Sequence, residues 1–143
     1  MVPGLAVLCL AASVHAEPAG GGADLSVTVS GLRSGHGQVL ACLAETAAAF
    51  PNCRSNSRHA KVAAAAGEVT LDFGVVPPGT YAIALFHDEN GNGKMDKMMM
   101  IPREGFGFSR DAPVRMGPPS FAAAAFAAGT RPEHLRVKLR YML

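Results

Sequence analysis

The stretch that decides the fold is GTYAIALFH, residues 79–87. Two apolar series alternate along it from residue 81 onward: Tyr81, Ile83, Leu85 and His87 against Ala82, Ala84 and Phe86. Such alternation predicts a β-strand, because successive side chains of a strand point to opposite faces. Both faces are apolar, so we expect a central strand that is covered on both sides. The preceding PPG at residues 77–79 is a strong turn signal.

Further strands are predicted before this one. Residues 25–30, LSVTVS, alternate strictly between apolar and hydroxyl side chains. The glycine-rich residues 31–37 predict a hairpin loop, and residues 38–43 the returning strand. Weaker patterns at residues 61–65 and 69–73 add two more strands.

The remainder of the chain reads as one long loop, a short helix and a last strand. Residues 88–119 are irregular, and residues 120–126 form a helix with Ser120 as the N-cap. In the last strand Val137, Leu139 and Tyr141 face inward. Its basic residues face water: Arg136, Lys138 and Arg140. Basic side chains of this kind are typical of a solvated edge strand, and we favour that interpretation over an anion site. We therefore predict an all-β fold, an antiparallel β-sandwich of about seven strands with a long loop and one short helix.

Length and charge exclude several classes of protein. The 143 residues suit one domain, and the formal net charge of +2 without blocks of like charge argues against nucleic-acid binding. Residues 1–16 predict a signal peptide, with a short apolar run and a small-residue cleavage site, although no basic residue precedes the run. The run is too short to span a membrane. Residues 17–23 then form a flexible leader and residues 24–143 one sandwich domain; the alternative is a buried N-terminal segment of a cytosolic protein.

The cysteine count agrees with export to the periplasm or the extracellular space. Removal of a signal peptide takes Cys9 away and leaves Cys42 and Cys53. In an oxidising compartment this pair favours a disulfide. Two buried free thiols are the alternative.

The most specific stretch is residues 87–96, HDENGNGKMD. It places oxygen side chains at positions one, three, five and nine of an EF-hand-like loop, with Gly93 at position six: Asp88, Asn90, Asn92 and Asp96. Position twelve is Met99 instead of a bidentate glutamate, and Glu104 replaces it only if the chain folds back. The loop thus predicts calcium as the one cofactor, with a dissociation constant of about 10⁻⁴–10⁻³ M. A metal-free turn is the alternative.

A second group of residues outlines a possible ligand surface: His87, Glu104, Phe106 and Phe108. The two phenylalanines alternate with glycines, which suits either exposed rings or buried anchors of a long loop. We favour the anchors. His87 is more simply a packed histidine than a base or a metal ligand. Methionines at positions 98–100 could bind Cu(I), but adjacent residues converge poorly on one ion.

Several stretches together resemble a known bacterial family. They are GTYAIALFHDENGNGKMD at 79–96, IPREGFGFS at 101–109 and GPPSF at 117–121, with LSVTVSGL at 25–32 and VKLRY at 137–141. The chain is similar in these to the family known as domain of unknown function 2141. The resemblance implies a small exported protein of this fold and supplies no activity, since none is established for that family as a whole.

The leading functional hypothesis is a non-catalytic exported binding or structural module, stabilised by calcium. No motif of a serine hydrolase, a zinc protease or a nucleotide-binding enzyme is present in the sequence. The alternatives are a periplasmic hydrolase that uses His87 with Asp88 or Glu104, and an envelope module that docks a protein through Phe106 and Phe108. The partner is thus a cell-envelope protein or a small ligand.

Overall fold

A computed structural model of the chain describes residues 21–53, 57–95, 97–98 and 101–143. Its strands are β1 (Ala23–Leu32), β2 (Gln38–Ala44), β3 (Arg58–Ala63), β4 (Gly67–Val76), β5 (Gly79–Asp88), β6 (Lys97–Met98), β7 (Ile101–Pro102), β8 (Phe106–Phe108), β9 (Phe126–Ala128) and β10 (Glu133–Lys138). One helical turn, α1, covers Phe121–Ala124, and two 3₁₀ turns cover Ala47–Ala49 and Ser109–Asp111. The predicted all-β fold is confirmed.

The strands form two sheets that pack face to face. The smaller sheet has the order β10-β1-β4, and the larger has the order β3-β2-β5-β8, with β9 also paired to β5. The pair β1–β10 is parallel and the other pairs of these sheets are antiparallel. The strands β6 and β7 form a separate small ribbon.

The main hydrophobic core lies between the sheets. Ile83 and Leu85 of β5 pack there against Val27 and Val29 of β1 and Leu71 of β4, and all five are at most 3% exposed. The strand β5 has β2 on one side and β8 on the other, so the expected central position is confirmed.

The prediction of a hairpin around residues 31–37 is wrong. Strand β1 already has β10 on one side and β4 on the other, so neither of its edges is left for β2. The chain therefore crosses to the larger sheet, where β2 pairs with β3 and β5. Gly31 and Gly37 have φ angles of 80° and 70°, which favour glycine, at the two ends of this crossing.

The prediction of a single irregular stretch from Asp88 to Pro119 also needs correction. This segment contains the ribbon β6–β7 and the strand β8, which extends the larger sheet. Gly107 allows β8 to lie close to β10, since a Cβ atom there would come within 2.6 Å of a Val137 methyl group. Phe106 and Phe108 consequently point to the opposite, outer face of the sheet.

The first strand and the helix differ from the prediction in small ways. Strand β1 begins at Ala23, the last residue of the predicted leader. The helix α1 is a single turn, capped by the Ser120 side chain. Leu139 and Val137 are buried, whereas the basic side chains of the last strand region are exposed: Arg136, Lys138 and Arg140.

Some predictions fall outside the described residues. The signal peptide at 1–16, residues 17–20 of the leader, Asp96 and two of the three methionines lie there. Across the part of the chain that is described, no helix is both long enough and apolar enough to cross a membrane.

Candidate functional site

The outer face of the larger sheet carries a second layer of apolar packing. Because β5 is apolar on both sides, its outward side chains also require cover. A second buried cluster provides it, built around Phe50, Ala82, Phe106, Phe108, Ala112 and Ala124. The Phe50 ring packs edge-on against those of Phe108 and Phe121.

A disulfide and a pair of buried hydrogen bonds hold this cover in place. The predicted disulfide is formed: Cys42 on β2 and Cys53 have their Cα atoms 6.2 Å apart, which binds residues 45–53 to the sheet. On the other side the fully buried Ser109 hydroxyl accepts a hydrogen bond from the Ile83 amide at 2.9 Å. It donates one to the Ala124 carbonyl at 2.6 Å. The cover is therefore anchored on both sides of the middle of β5, through Cys42 of β2, which is paired with Ala84, and through Ser109, which bonds to Ile83.

A cleft of about 780 Å³ remains between the cover and the sheet. Its floor is formed by the outward side chains of β2, β5 and β8: Leu40, Cys42, Ala84, Phe86, Phe106 and Phe108. Its walls come from the strand β7 and the surrounding loops: Pro51, Asn52, Met95, Ile101, Pro102, Val114, Pro118 and Met142. A volume of this size with an apolar lining is typical of small-molecule sites.

The rim of the cleft is polar on the side of the edge strand β3. His59 and Lys61 both line the cleft there and are exposed. They are two residues apart on one strand, so their side chains share a face. Lys61 and Leu40 are not among the predicted site residues, because their position beside the cleft depends on strand pairing, which the local sequence pattern does not contain.

His87, a predicted site residue, is completely buried on the inner face of β5. Its Nε2 lies 2.7 Å from the carbonyl oxygen of His36, which can only accept, so Nε2 carries a proton and donates it. In the neutral ring Nδ1 accepts from the Tyr141 hydroxyl at 2.9 Å. This hydroxyl accepts in turn from the Arg33 amide at 3.2 Å. Both ring nitrogens are thus engaged within the fold.

Asp88, the next residue, points to the outer face and is also completely buried. Its carboxylate accepts hydrogen bonds from the Gln38 amide group at 3.0 Å and from the Gly93 amide at 2.8 Å. The Asn92 amide, at 3.2 Å, donates to it as well. The first residue of the predicted calcium loop therefore holds the turn in shape. Adjacent strand residues face opposite ways, so His87 and Asp88 do not form an acid–base pair.

The side-chain oxygens of Asn90 and Asn92 accept hydrogen bonds from the backbone of the loop. Asn90 Oδ1 accepts from the Asn92 amide at 3.2 Å, and Asn92 Oδ1 from the Lys94 amide at 2.9 Å. Glu104 does fold back toward the loop, where its Oε2 accepts from the Glu89 amide at 2.6 Å. Among the described residues, no group of three or more His, Cys, Asp or Glu side chains is arranged to hold a metal ion. Asp96 lies outside that set, so calcium binding stays a prediction.

An ion pair next to the loop was not predicted. The Arg33 guanidinium donates from Nε to Glu89 at 3.0 Å and stacks on the Tyr141 ring, 4.4 Å from its centroid. This hydrogen bond lowers the pKa of the Glu89 carboxyl below its ordinary value, and a second one from Ser34 acts in the same direction. Burial raises the pKa of the Tyr141 phenol.

The four residues of the predicted ligand surface do not form one surface. All are buried, with His87 on the inner face of β5 and Glu104 against the loop. Phe106 and Phe108, at 5% and 9% exposed, belong to the outer cluster and also line the cleft floor. Their geometry agrees with the interpretation as anchors.

The fold and the cleft define a class of protein: a two-sheet β-sandwich with a loop-covered apolar cleft on the outer face of its larger sheet. The chain belongs to the family of uncharacterised proteins conserved in bacteria known as domain of unknown function 2141 (DUF2141), whose family model matches residues 27–136. Searches of curated proteins and of solved structures found no match to this chain. The resemblance seen in the sequence is thereby confirmed, and it carries no activity with it.

Proposed function

We propose that the protein is an exported, non-catalytic module that binds an apolar ligand in the outer cleft. The observation that carries this proposal is the cleft itself, about 780 Å³ bounded by apolar side chains of three strands and the loops above them. Ligand pockets typically have volumes of about 300–1,000 Å³ and a mostly apolar lining with a few polar groups. Export rests on the apolar run near residue 8 and on the paired cysteines.

The alternatives receive less support from the described residues. A hydrolase that uses His87 would need a free ring nitrogen next to a substrate, and both ring nitrogens are engaged by His36 and Tyr141. A docking module that uses Phe106 and Phe108 would need exposed rings, and both rings are buried.

Dye binding to the mature protein tests the proposal. We expect saturable, one-site binding of a neutral hydrophobic dye such as N-phenylnaphthylamine. Leu40→Gln places an amide on the cleft floor and removes roughly 1.5 kcal/mol of apolar contact, which weakens binding about tenfold. Val75→Gln is the matched control, because Val75 is an apolar β-strand residue that is 57% exposed on the smaller sheet.

The dye measurements must be made on folded variants, which circular dichroism and a thermal melt establish. Absence of saturable binding to the wild-type protein would contradict the proposal. Equal weakening by Leu40→Gln and Val75→Gln would also contradict it, because the dye would then bind without using the cleft.

We also propose calcium as a stabilising ion at the Asp88 loop. A carboxylate has about four acceptor sites. Three hydrogen bonds from described residues reach the Asp88 carboxylate, and a cation would take a further site. Calcium at one hundred times its dissociation constant would add about 2.7 kcal/mol to the free energy of unfolding. A thermal melt in EDTA and then in millimolar calcium measures this. An unchanged midpoint, or a shift that persists in Asp88→Ala, would contradict calcium binding at this loop.

A further inference from the structure

The strand register places a cation at one end of a straight apolar row. Lys61 of β3 is paired with Leu40 of β2, Leu40 with Phe86 of β5, and Phe86 with Phe106 of β8. Side chains at paired positions lie on the same face, and neighbouring strands are about 4.8 Å apart. The row therefore runs about 14 Å across the cleft floor, with one charged end and three apolar positions after it.

Within the part of the chain that the structure describes, no negative charge balances this cation inside the cleft. Among the described residues that line the cleft, none is an aspartate or a glutamate. Nor does Lys61 form an ion pair with any described residue, since the two ion pairs found there join Arg33 to Glu89 and Arg136 to Glu68. His59, on the same face of β3 as Lys61, adds a polar group to this end and no negative charge.

We infer that the ligand of the cleft is a monomeric single-chain carboxylate, with its head group at Lys61 and its acyl tail along the row to Phe106. This inference rests on the proposed function and adds the chemical class of the ligand. The apolar row takes up the tail by burying surface that water otherwise contacts. The Lys61 ammonium stays near solvent on its flexible stem and contributes chiefly to the choice of head group.

Competition against the neutral dye tests the inference at a pH of about 8, where fatty carboxylates are ionised. The probes have the same chain length and are used as monomers in solution: dodecanoate, dodecanol and dodecyltrimethylammonium. We expect dodecanoate to displace the dye about fivefold better than either of the others, as for a partly exposed ion pair. Lys61→Gln should remove this preference, and Lys61→Glu should shift it toward the cationic probe. Lys138→Gln, an exposed lysine on the opposite sheet, should leave it unchanged.

The outcomes separate this inference from the proposed function. Equal displacement by all three probes, unaffected by Lys61→Gln, would overturn the carboxylate assignment and leave an apolar cleft. Binding of the protein to anionic vesicles without displacement by monomeric dodecanoate would overturn it in favour of a lipid surface. Failure of the dye to bind at all would remove the proposed function, and the inference with it.

Discussion

Replacement of Asp88 by alanine should destabilise the protein markedly, even without calcium. The carboxylate is completely buried and accepts hydrogen bonds from Gln38, Gly93 and Asn92. Loss of the bonds from Asn92 and Gly93 should cost little free energy, because the Asn92 amide also reaches Asn90 Oδ1 and Gly93 lies in an exposed turn that water can enter. Two larger costs of the substitution remain: the buried cavity that it leaves and the loss of the charge-assisted hydrogen bond from Gln38. Together they amount to about 3 kcal/mol.

The expected shift in melting temperature follows from the size of the domain. An unfolding entropy of about 2.1 cal/mol/K per residue, over roughly 120 residues, converts about 3 kcal/mol into roughly 12 °C. The assay is a thermal melt of the oxidised protein in EDTA, which excludes any contribution from calcium. Asp88→Asn, which keeps one acceptor oxygen, should lie between wild type and Asp88→Ala. Asp24→Ala is the control, because Asp24 is exposed on β1.

A melting temperature of Asp88→Ala within about 2 °C of wild type would refute this reasoning. It would mean that solvent satisfies the Gln38 amide equally well and that the turn needs no carboxylate. A loss as large in Asp24→Ala would also refute it, because the effect would then reflect net charge and not the buried acceptor.

Two further predictions concern the neighbourhood of this loop. Because the hydrogen bond from Arg33 lowers the pKa of Glu89 below 4.5, the ionised Glu89 stabilises the fold above that pH and the contribution is lost as the pH falls. Glu89→Gln should therefore lower the urea midpoint at a pH of about 7 and have a smaller effect at a pH of about 3; an equal effect at both values would count against the ion pair. Gly105→Ala would place a Cβ atom 2.5 Å from the Tyr141 ring, so we expect about 1–3 kcal/mol of destabilisation by urea unfolding. Gly129→Ala, with no atom within 4 Å of the new Cβ, should be nearly neutral, and similar losses in both variants would contradict the packing argument.

The parts of the fold that local chemistry determines could be predicted from the sequence. The alternation in residues 81–87 predicts a central strand because no other position covers both of its faces, and β5 is central. Ser120 caps α1 because its hydroxyl accepts from the Ala123 amide. The connection at residues 31–37 was wrongly assigned, since a hairpin loop and a sheet crossing use the same glycines. Only the pairing of β1 with both β4 and β10 distinguishes them.

The candidate site was harder to predict because it is formed by register. Phe106 and Phe108 stood out as chemistry-bearing residues, and both do line the cleft. Lys61 and Leu40 gave no signal, because a lysine and a leucine in a weak strand are common anywhere. Their importance follows from pairing across β3 and β2, a contact between distant parts of the chain. The Arg33–Glu89 pair was missed for the same reason.

The cleft follows from the way in which the outer face of β5 is covered. A strand with two apolar faces in a two-sheet sandwich has the second sheet over one face only, so the other face must be covered by loops. Here that cover contains the large rings of Phe50 and Phe121, but alanine, glycine and proline stand at Ala112, Ala124 and residues 117–119. Such small side chains cannot fill the space above Leu40 and Phe86, and apolar surface left open to water is costly. A ligand that fills the cleft would complete this second core. The contacts that bind the ligand would therefore also raise the free energy of unfolding of the protein.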